Sequence, residues 1–221
     1  MKYTTPQELF DFSATIAAPL LAEAAHNWAV LPRLGDFIRA LGPTLDPARF
    51  EQTGEDVWIA RSAEIAPTAR IDGPCIMDEG AELRHCCFIR GSVIVGKNAV
   101  VGNSVELKNA LLCDEAQVPH FNYVGDSILG RGAHMGAGAV TSNVKSDKTA
   151  VVIHTLEGDF PTGLQKAGAM LGDGAEIGCN SVLNPGTVIG RGAQVYPLSS
   201  VRGIVAENHI YKDALHIVKR R

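Results

Sequence analysis

From Ile59 onward an apolar side chain occupies every sixth position: Ile59, Ile65, Ile71, Met77, Leu83, Ile89, Val95, Val101, Leu107 and Cys113. A second run, Leu171, Ile177, Leu183, Ile189, Val195 and Val201, keeps the same step. Neither an α-helix nor a flat strand repeats in sixes, whereas a coil with three six-residue sides does. Each turn of such a coil sets a short strand beside the strand one turn on, about 4.8 Å away, and stacks the sixth residues in the interior. The sequence therefore predicts an all-β solenoid, a parallel β-helix of hexapeptide repeats, over residues 53–205.

Residues 1–52 follow a different period. Thr5-Pro6-Gln7-Glu8 has the form of a capping box with proline at the first helical position. Behind Pro32, Leu31, Leu34, Ile38 and Leu41 recur at helical spacing until Gly42-Pro43 ends the run. A small N-terminal helical cap is expected, acting as a lid over one end of the solenoid, because a bare end exposes core and unpaired strand edges. The tail, 206–221, is expected over the other end. Between the two runs the step breaks: the interval from Cys113 to Leu129 falls short of three full hexads, so residues 118–143 read as an interruption of regular coils. KSDKTAVVIHTLEGDFPTGLQKAGAM reads as an excursion near 145–170 with two short strands around Glu157-Gly158-Asp159.

The formal net charge is −4 with acids and bases interspersed, and no basic stripe carries interleaved aromatics, so no nucleic-acid partner is expected. MKYTTPQELF lacks an apolar signal core, and no stretch approaches about 18 uncharged apolar residues, so neither secretion nor a membrane is expected. A cytoplasmic location is the expectation. The five cysteines, Cys75, Cys86, Cys87, Cys113 and Cys179, are odd in number and lack CxxC spacing, which points to reduced thiols.

Arg90 and Lys108 are three hexads apart, so a regular coil stacks them on neighbouring rungs. Two stacked cations repel unless an anion such as a phosphate lies between them. Asp72, one further turn upstream, offers the alternative of a surface ion pair with Arg90. His120, after Pro119 and before Tyr123, is the candidate for proton transfer, against a structural histidine bonded to the backbone of a turn. His134 reads as a ligand, a substrate contact or a solvated surface residue. Gly136-Ala137-Gly138 would let backbone N–H groups approach a substrate. His85, His120 and His134 could in principle hold zinc, but they lack the close pair that zinc-dependent hydratases of this architecture use.

Residues 102–143, GNSVELKNALLCDEAQVPHFNYVGDSILGRGAHMGAGAVTSN, resemble the acetyltransferase half of the bifunctional UDP-N-acetylglucosamine pyrophosphorylase/glucosamine-1-phosphate N-acetyltransferase family. The match rests on GN-x-VE-x-K, PH-x-x-Y-x-GD, GAG and a following Asn; it is tight over 90–143 and loose over 59–205. The pyrophosphorylase half has no counterpart here, so a stand-alone form is expected. Resemblance to hexapeptide-repeat proteins implies a left-handed winding, against the usual right-handed crossover.

Carried over by position, the resemblance makes His120 the general base that takes a proton from the sugar amine as it attacks acetyl-CoA. Arg90 and Lys108 would hold the sugar phosphate, Tyr123, Asn143 and the position of His134 would orient the sugar, and Ala137, Cys179 and Pro197 would line the acyl-CoA cleft. The family has asparagine at His134, tyrosine at Val144, serine at Cys179 and alanine at Pro197, so an acceptor other than glucosamine-1-phosphate is open. Acetyl-CoA is implied as co-substrate and a homotrimer as the assembly. No metal is expected, since magnesium serves the missing half. The rival from another class is a catalytically silent trimeric module that binds a sugar phosphate or nucleotide sugar for a nucleotidyltransferase chain.

Overall fold

In the computed structural model, residues 3–155 and 158–220 are described. Short parallel strands coil into a solenoid with three faces. The first face runs through Val57–Ala60, Cys75–Met77, Val93–Val95, the later halves of Glu106–Leu112 and Tyr123–Leu129, then Ala169–Leu171, Thr187–Ile189 and Ile204–Val205. The second takes Arg70–Asp72, Phe88–Arg90, the earlier halves of those two long strands, Val140–Thr141, Val182–Leu183 and Ser200–Val201. The third holds Val100–Asn103, Gln117–His120, His134–Met135 and Glu176–Ile177 near its middle.

The six-residue step is carried by the interior. Met77, Leu83, Ile89, Val95, Val101 and Leu107 are buried in one cluster with Leu171, Ile177, Leu183, Ile189, Val195 and Val201. Two positions before each of the first six stands a second inward residue, Cys75, Ala81, Cys87, Val93, Ala99 or Val105, smaller than its partner in every pair but Val93 and Val95. The two sets together fill the interior of the triangular coil.

The step fails one residue before Cys113. Phe88 pairs with Glu106, a full turn of three hexads, but Val93 pairs with Ala110, one residue less than a full turn. One residue is therefore missing at the Lys108-Asn109 corner, and Leu112 takes the interior place while Cys113 points outward into the N-terminal segment. The next turn is short by one residue as well, Leu112 pairing with Leu129, and its short corner is Gly125-Asp126. Residues 118–143 are thus regular rungs, each one residue short, rather than an interruption.

The N-terminal segment does not act as a lid over an end. Its helices, Pro6–Leu9, Ala18–Glu23 and Leu34–Leu41, lie along the outside of the first face. Leu9, Leu21, Trp28, Leu34 and Ile38 bury against the outward side chains of Trp58, Ile76, Ile94, Leu111, Ile128, Met170 and Val188. Strands of this face, such as VWIA, CIM and VIV, are apolar on both sides, the pattern of a sheet covered twice. Each such side chain gains about 1.5–3 kcal/mol by burial, so the flank competes successfully with the end for the helices.

One corner of the solenoid carries one charge per rung, with alternating sign: Arg61, Glu79, Lys97, Asp114, Arg131, Asp173, Arg191 and Glu207. Lys97 lies 3.3 Å from Glu79 and Arg191 3.6 Å from Asp173. A slip by one rung would stack like charges, so the column defends the register. The segment from Tyr3 to Ala14 runs along this corner as a strap. Backbone N–H groups of Asp173 and Asp114 donate to the carbonyls of Leu9 (3.0 Å) and Ala14 (2.9 Å), and the N–H of Asp11 donates to Asp173 Oδ2 (2.7 Å).

At the far end His209–Asp213 and His216–Lys219 form an antiparallel hairpin, with Tyr211 buried beside Val195. The excursion holds the two expected strands, Val152–Thr155 and Gly158–Pro161, paired antiparallel; Leu156 and Glu157 lie outside the described residues. Its base buries Val151 and Ile153 against the first face of its own chain. Among the described residues no helix is long and apolar enough to cross a membrane.

Candidate active site

The two short corners create a polar cluster. Lys108 Nζ lies 3.2 Å from both carboxylate oxygens of Asp126. Asp126, only 3% exposed, also accepts from Asn109 Nδ2 (2.9 Å) and Asn143 Nδ2 (2.6 Å), and Asn143 Nδ2 stands 3.2 Å from the Tyr123 hydroxyl. A Cβ on Gly125 would lie 2.5 Å from the Tyr123 hydroxyl and 2.7 Å from Asn143 Nδ2, so glycine is what lets these two groups meet. The excursion returns to the same place: Ala167 N–H donates to Asn143 O (3.1 Å) and Gly168 N–H to Asp126 O (2.7 Å). The chain leaves and re-enters the coil at the corner that the shortened rungs had already distorted.

Arg90 extends the cluster. It donates to Glu106 Oε1 at 2.5 Å, and Glu106 is the strand partner of Tyr123. Asp72 is the register neighbour of Arg90 but binds Arg70 instead, at 2.7 Å. Each expected phosphate ligand thus holds its own carboxylate, and the strip Arg90, Glu106, Lys108, Asp126 is electrically neutral. Burial pushes the Tyr123 phenol above its ordinary pKa more than the Asn143 bond lowers it, so the hydroxyl keeps its proton at neutral pH.

His120 stands just before the neighbouring corner, close to Tyr123 in the chain, with its backbone held on both sides. Its N–H donates to Asn122 Oδ1 (3.1 Å) and its carbonyl accepts from Gly138 N–H (3.1 Å). Asn122 is 3% exposed and sits where other rungs carry Cys87, Val105 or Ala139. Its Nδ2 donates to Gly136 O (2.8 Å) and Ala139 O (3.0 Å), so one buried amide braces both the His120 turn and the glycine turn.

Gln117, His134, Glu176 and Gln194 share a register, and half a hexad further along their rungs stand His120, Ala137, Cys179 and Pro197. His120 and the three expected acyl-CoA positions therefore occupy one column along the solenoid, about 4.8 Å apart per rung. The next position on each rung holds Phe121, Gly138, Asn180 and Leu198. Phe121 and Leu198 are 62% and 80% exposed with φ of 54° and 60°. Left-handed backbone at such residues costs about 1–2 kcal/mol each, and Cys86, Ser104 and Asn180 adopt it at the same corner on other rungs, so it is the regular turn of this corner.

His134 joins neither group; its Nδ1 is 2.9 Å from Glu176 on the third face. His85 bonds Thr68 at 2.9 Å and stands two rungs from His120, with Asn103 between. Among the described residues no group of three His, Cys, Asp or Glu side chains converges as a metal site. Burial pushes the Cys75 and Cys87 thiols up to about 12 and about 11, which leaves them poor nucleophiles. Glu106 and Asp126 stand in the motifs GN-x-VE-x-K and PH-x-x-Y-x-GD but, like Asn122, carry no site role in the sequence reading, although Asp126 follows Lys108 by the same three hexads that separate Arg90 from Lys108.

Residues 71–155 match the family described as the GMPPB C-terminal domain. The bifunctional protein GlmU of Methanococcus maripaludis is 30% identical over 204 residues, covering 90% of this chain and 49% of that protein. The bifunctional sugar-1-phosphate nucleotidylyltransferase/acetyltransferase of Sulfurisphaera tokodaii is 30% identical over 175 residues, 71% of this chain and 43% of that protein. The chain spans about half the length of these relatives or less. Among solved structures, the N-acyltransferase AntD from Bacillus cereus shows 17% identity and a TM-score of 0.39, over 78% of this chain and 91% of that chain. The acetyltransferase domain of PglB from Neisseria gonorrhoeae shows 16% identity and a TM-score of 0.34, over 70% and 54%.

Proposed function

Homology to the GlmU-type bifunctional proteins along nine-tenths of the chain is the premise on which we propose that this protein is an acyltransferase, using acetyl-CoA to acylate an amino sugar carried as a phosphate or nucleotide. The observation that carries the reading is the alignment of His120 with Ala137, Cys179 and Pro197, beside the cluster of Lys108, Tyr123, Asp126 and Asn143 on the adjoining face.

The acyl thioester lies along the column past the small side chain of Ala137. The neutral amine attacks the thioester carbon with its lone pair, and His120 takes the proton that the nitrogen gives up as the C–N bond forms. Collapse of the tetrahedral adduct breaks the C–S bond and releases coenzyme A. The sugar is oriented by the Tyr123 hydroxyl and Asn143, which Gly125 holds together.

The phosphate enters from the Arg90 side. Arg90 and Glu106 form a solvent-screened pair of little net worth that an incoming anion can exchange. Lys108 is fixed by a carboxylate that is itself buried under three donors, so it supplies a stationary charge while Arg90 moves onto the ligand. The exposed and strained Phe121 and Leu198 find cover in a second copy of the chain, and a homotrimer with a cleft at each such corner is the assembly proposed.

The test is a panel of amino-sugar phosphates and nucleotide amino sugars offered with acetyl-CoA, scored by thiol release. Acceptor-dependent release supports the assignment, and its absence across the panel contradicts it. The neutral strip favours a second reading, a silent sugar-phosphate binding module. Calorimetry separates the two: the module binds sugar phosphate and no acyl-CoA.

A further inference from the structure

Just inside the corner that carries His120, Ala137, Cys179 and Pro197 runs a column of interior positions: Cys87, Val105, Asn122, Ala139, Ser181 and Ser199. On the rungs of His85 and Asn103 the inward residue is apolar, Cys87 or Val105. From the rung of His120 onward, Asn122, Ser181 and Ser199 bring buried polar groups into the column. Each of them bonds the backbone of this same corner. Ser181 Oγ donates to Tyr196 O at 3.1 Å, and Ser199 Oγ donates to the same carbonyl at 2.7 Å. Asn122 reaches further: its Oδ1 accepts from the N–H of His120 at 3.1 Å, and its Nδ2 donates to Gly136 O at 2.8 Å and Ala139 O at 3.0 Å.

A buried amide in an apolar core is tolerated when its hydrogen bonds are made, and both ends of Asn122 are satisfied. Stacking does not require it, since the preceding rung manages with Val105. What the amide adds is a closed ring of bonds. His120 N–H is held by Asn122, His120 O accepts from Gly138 N–H at 3.1 Å, and Gly136 and Ala139, on either side of that turn, hold Asn122 in return. The backbone link recurs along the corner, as Asn180 N–H to Ala137 O and Leu198 N–H to Cys179 O, whereas the links through Asn122 are additional. The backbones of His120 and of the Ala137 turn are thereby fixed relative to each other.

We propose that Asn122 is a positioning residue for acyl transfer, holding His120 at a set distance from the Ala137 turn past which the thioester lies. The inference rests on the reading of His120 as general base. The amide touches neither substrate nor the reacting atoms and acts through His120 alone. Without it the backbone link still joins the two turns, but the N–H of His120 loses its anchor, and a displacement of about 1 Å at a reacting group costs about 10²-fold in rate.

The experiment measures acetyl transfer by Asn122→Val and Asn122→Ser, each alone and each combined with His120→Ala. Valine is the side chain of the preceding rung and removes the amide; serine keeps one donor, as Ser181 does. In Asn122→Val kcat is expected to fall about 10- to 10²-fold, with a smaller loss in Asn122→Ser and KM for acetyl-CoA unchanged. In the His120→Ala background neither substitution is expected to slow the reaction further, because a residue that acts only through the imidazole has nothing left to position. Unchanged kcat in Asn122→Val, an equal fractional loss in both backgrounds, or a loss expressed in KM for acetyl-CoA rather than in kcat would overturn the proposal and leave His120 as the base. Unchanged turnover in His120→Ala alone would remove the base and the proposal together, so the two failures are told apart. Should Asn122→Val fail to fold, Asn122→Ser in the same two backgrounds decides.

Discussion

Both carboxylate oxygens of Asp126 stand 3.2 Å from the ammonium of Lys108, one rung away, and the same carboxylate accepts from Asn109 and Asn143. Asp126→Asn places an amide donor against three donors. It is expected to cost about 1–3 kcal/mol of stability by urea unfolding and to raise KM for the phosphate acceptor more than it lowers kcat. Lys108→Met in that background should restore stability without restoring KM. An Asp126→Asn protein with unchanged KM would remove the positioning role.

Gly125→Ala tests the close approach at the cluster. The added methyl meets the Tyr123 hydroxyl and Asn143 Nδ2, so one of them must move. Overpacking of this kind costs about 1–3 kcal/mol, and acceptor turnover should fall while binding of coenzyme A is kept. Equal loss of both would show that the substitution disturbs the whole coil.

Phe121→Asn with Leu198→Asn puts a residue that tolerates left-handed backbone at both strained positions. Relief of about 1 kcal/mol or more per position is expected in the isolated chain. Light scattering should show a smaller species than for the unmodified protein, and the melting temperature should lose its dependence on protein concentration. An unaltered assembly would place the subunit contact elsewhere.

Burial pushes the Asp78 carboxyl above its ordinary value near 3.8, against the lowering effect of the Glu79 N–H. The folded chain then holds this proton more tightly than the unfolded chain. The stability contributed by the group therefore falls as pH rises from about 3.8 through the elevated folded value. Asp78→Asn is expected to raise the melting temperature at pH near 8 and to give no gain near pH 4. A constant difference across that range would contradict a buried, charged Asp78.

The interior of the solenoid was legible because a period of six has few physical solutions, and Met77 to Leu107 obey it. Cys113 was misread because a strand running on around the corner at Lys108-Asn109 saves one residue, a deletion that counting cannot locate. The flank position of the helices was present in the sequence as strands apolar on both sides, Cys75-Ile76-Met77 above all, yet the need of the open end for cover argued more strongly. At the site, Lys108 and Asn143 both donate to Asp126, with Tyr123 beside Asn143, and His120 shares a column with Ala137, Cys179 and Pro197. The carboxylates that neutralise Arg90 and Lys108 were not foreseen, because charge compensation depends on rotamers and burial that spacing does not encode.

The most direct measurement is acetyl transfer from acetyl-CoA to the best amino-sugar phosphate of the panel, unmodified chain against His120→Ala. A loss of about 10²–10⁴ in kcat, with sugar-phosphate binding retained in calorimetry, is the result expected when a general base is removed. Turnover unchanged by the substitution would contradict the role of His120 and with it the reading of the column as an acyl-transfer site.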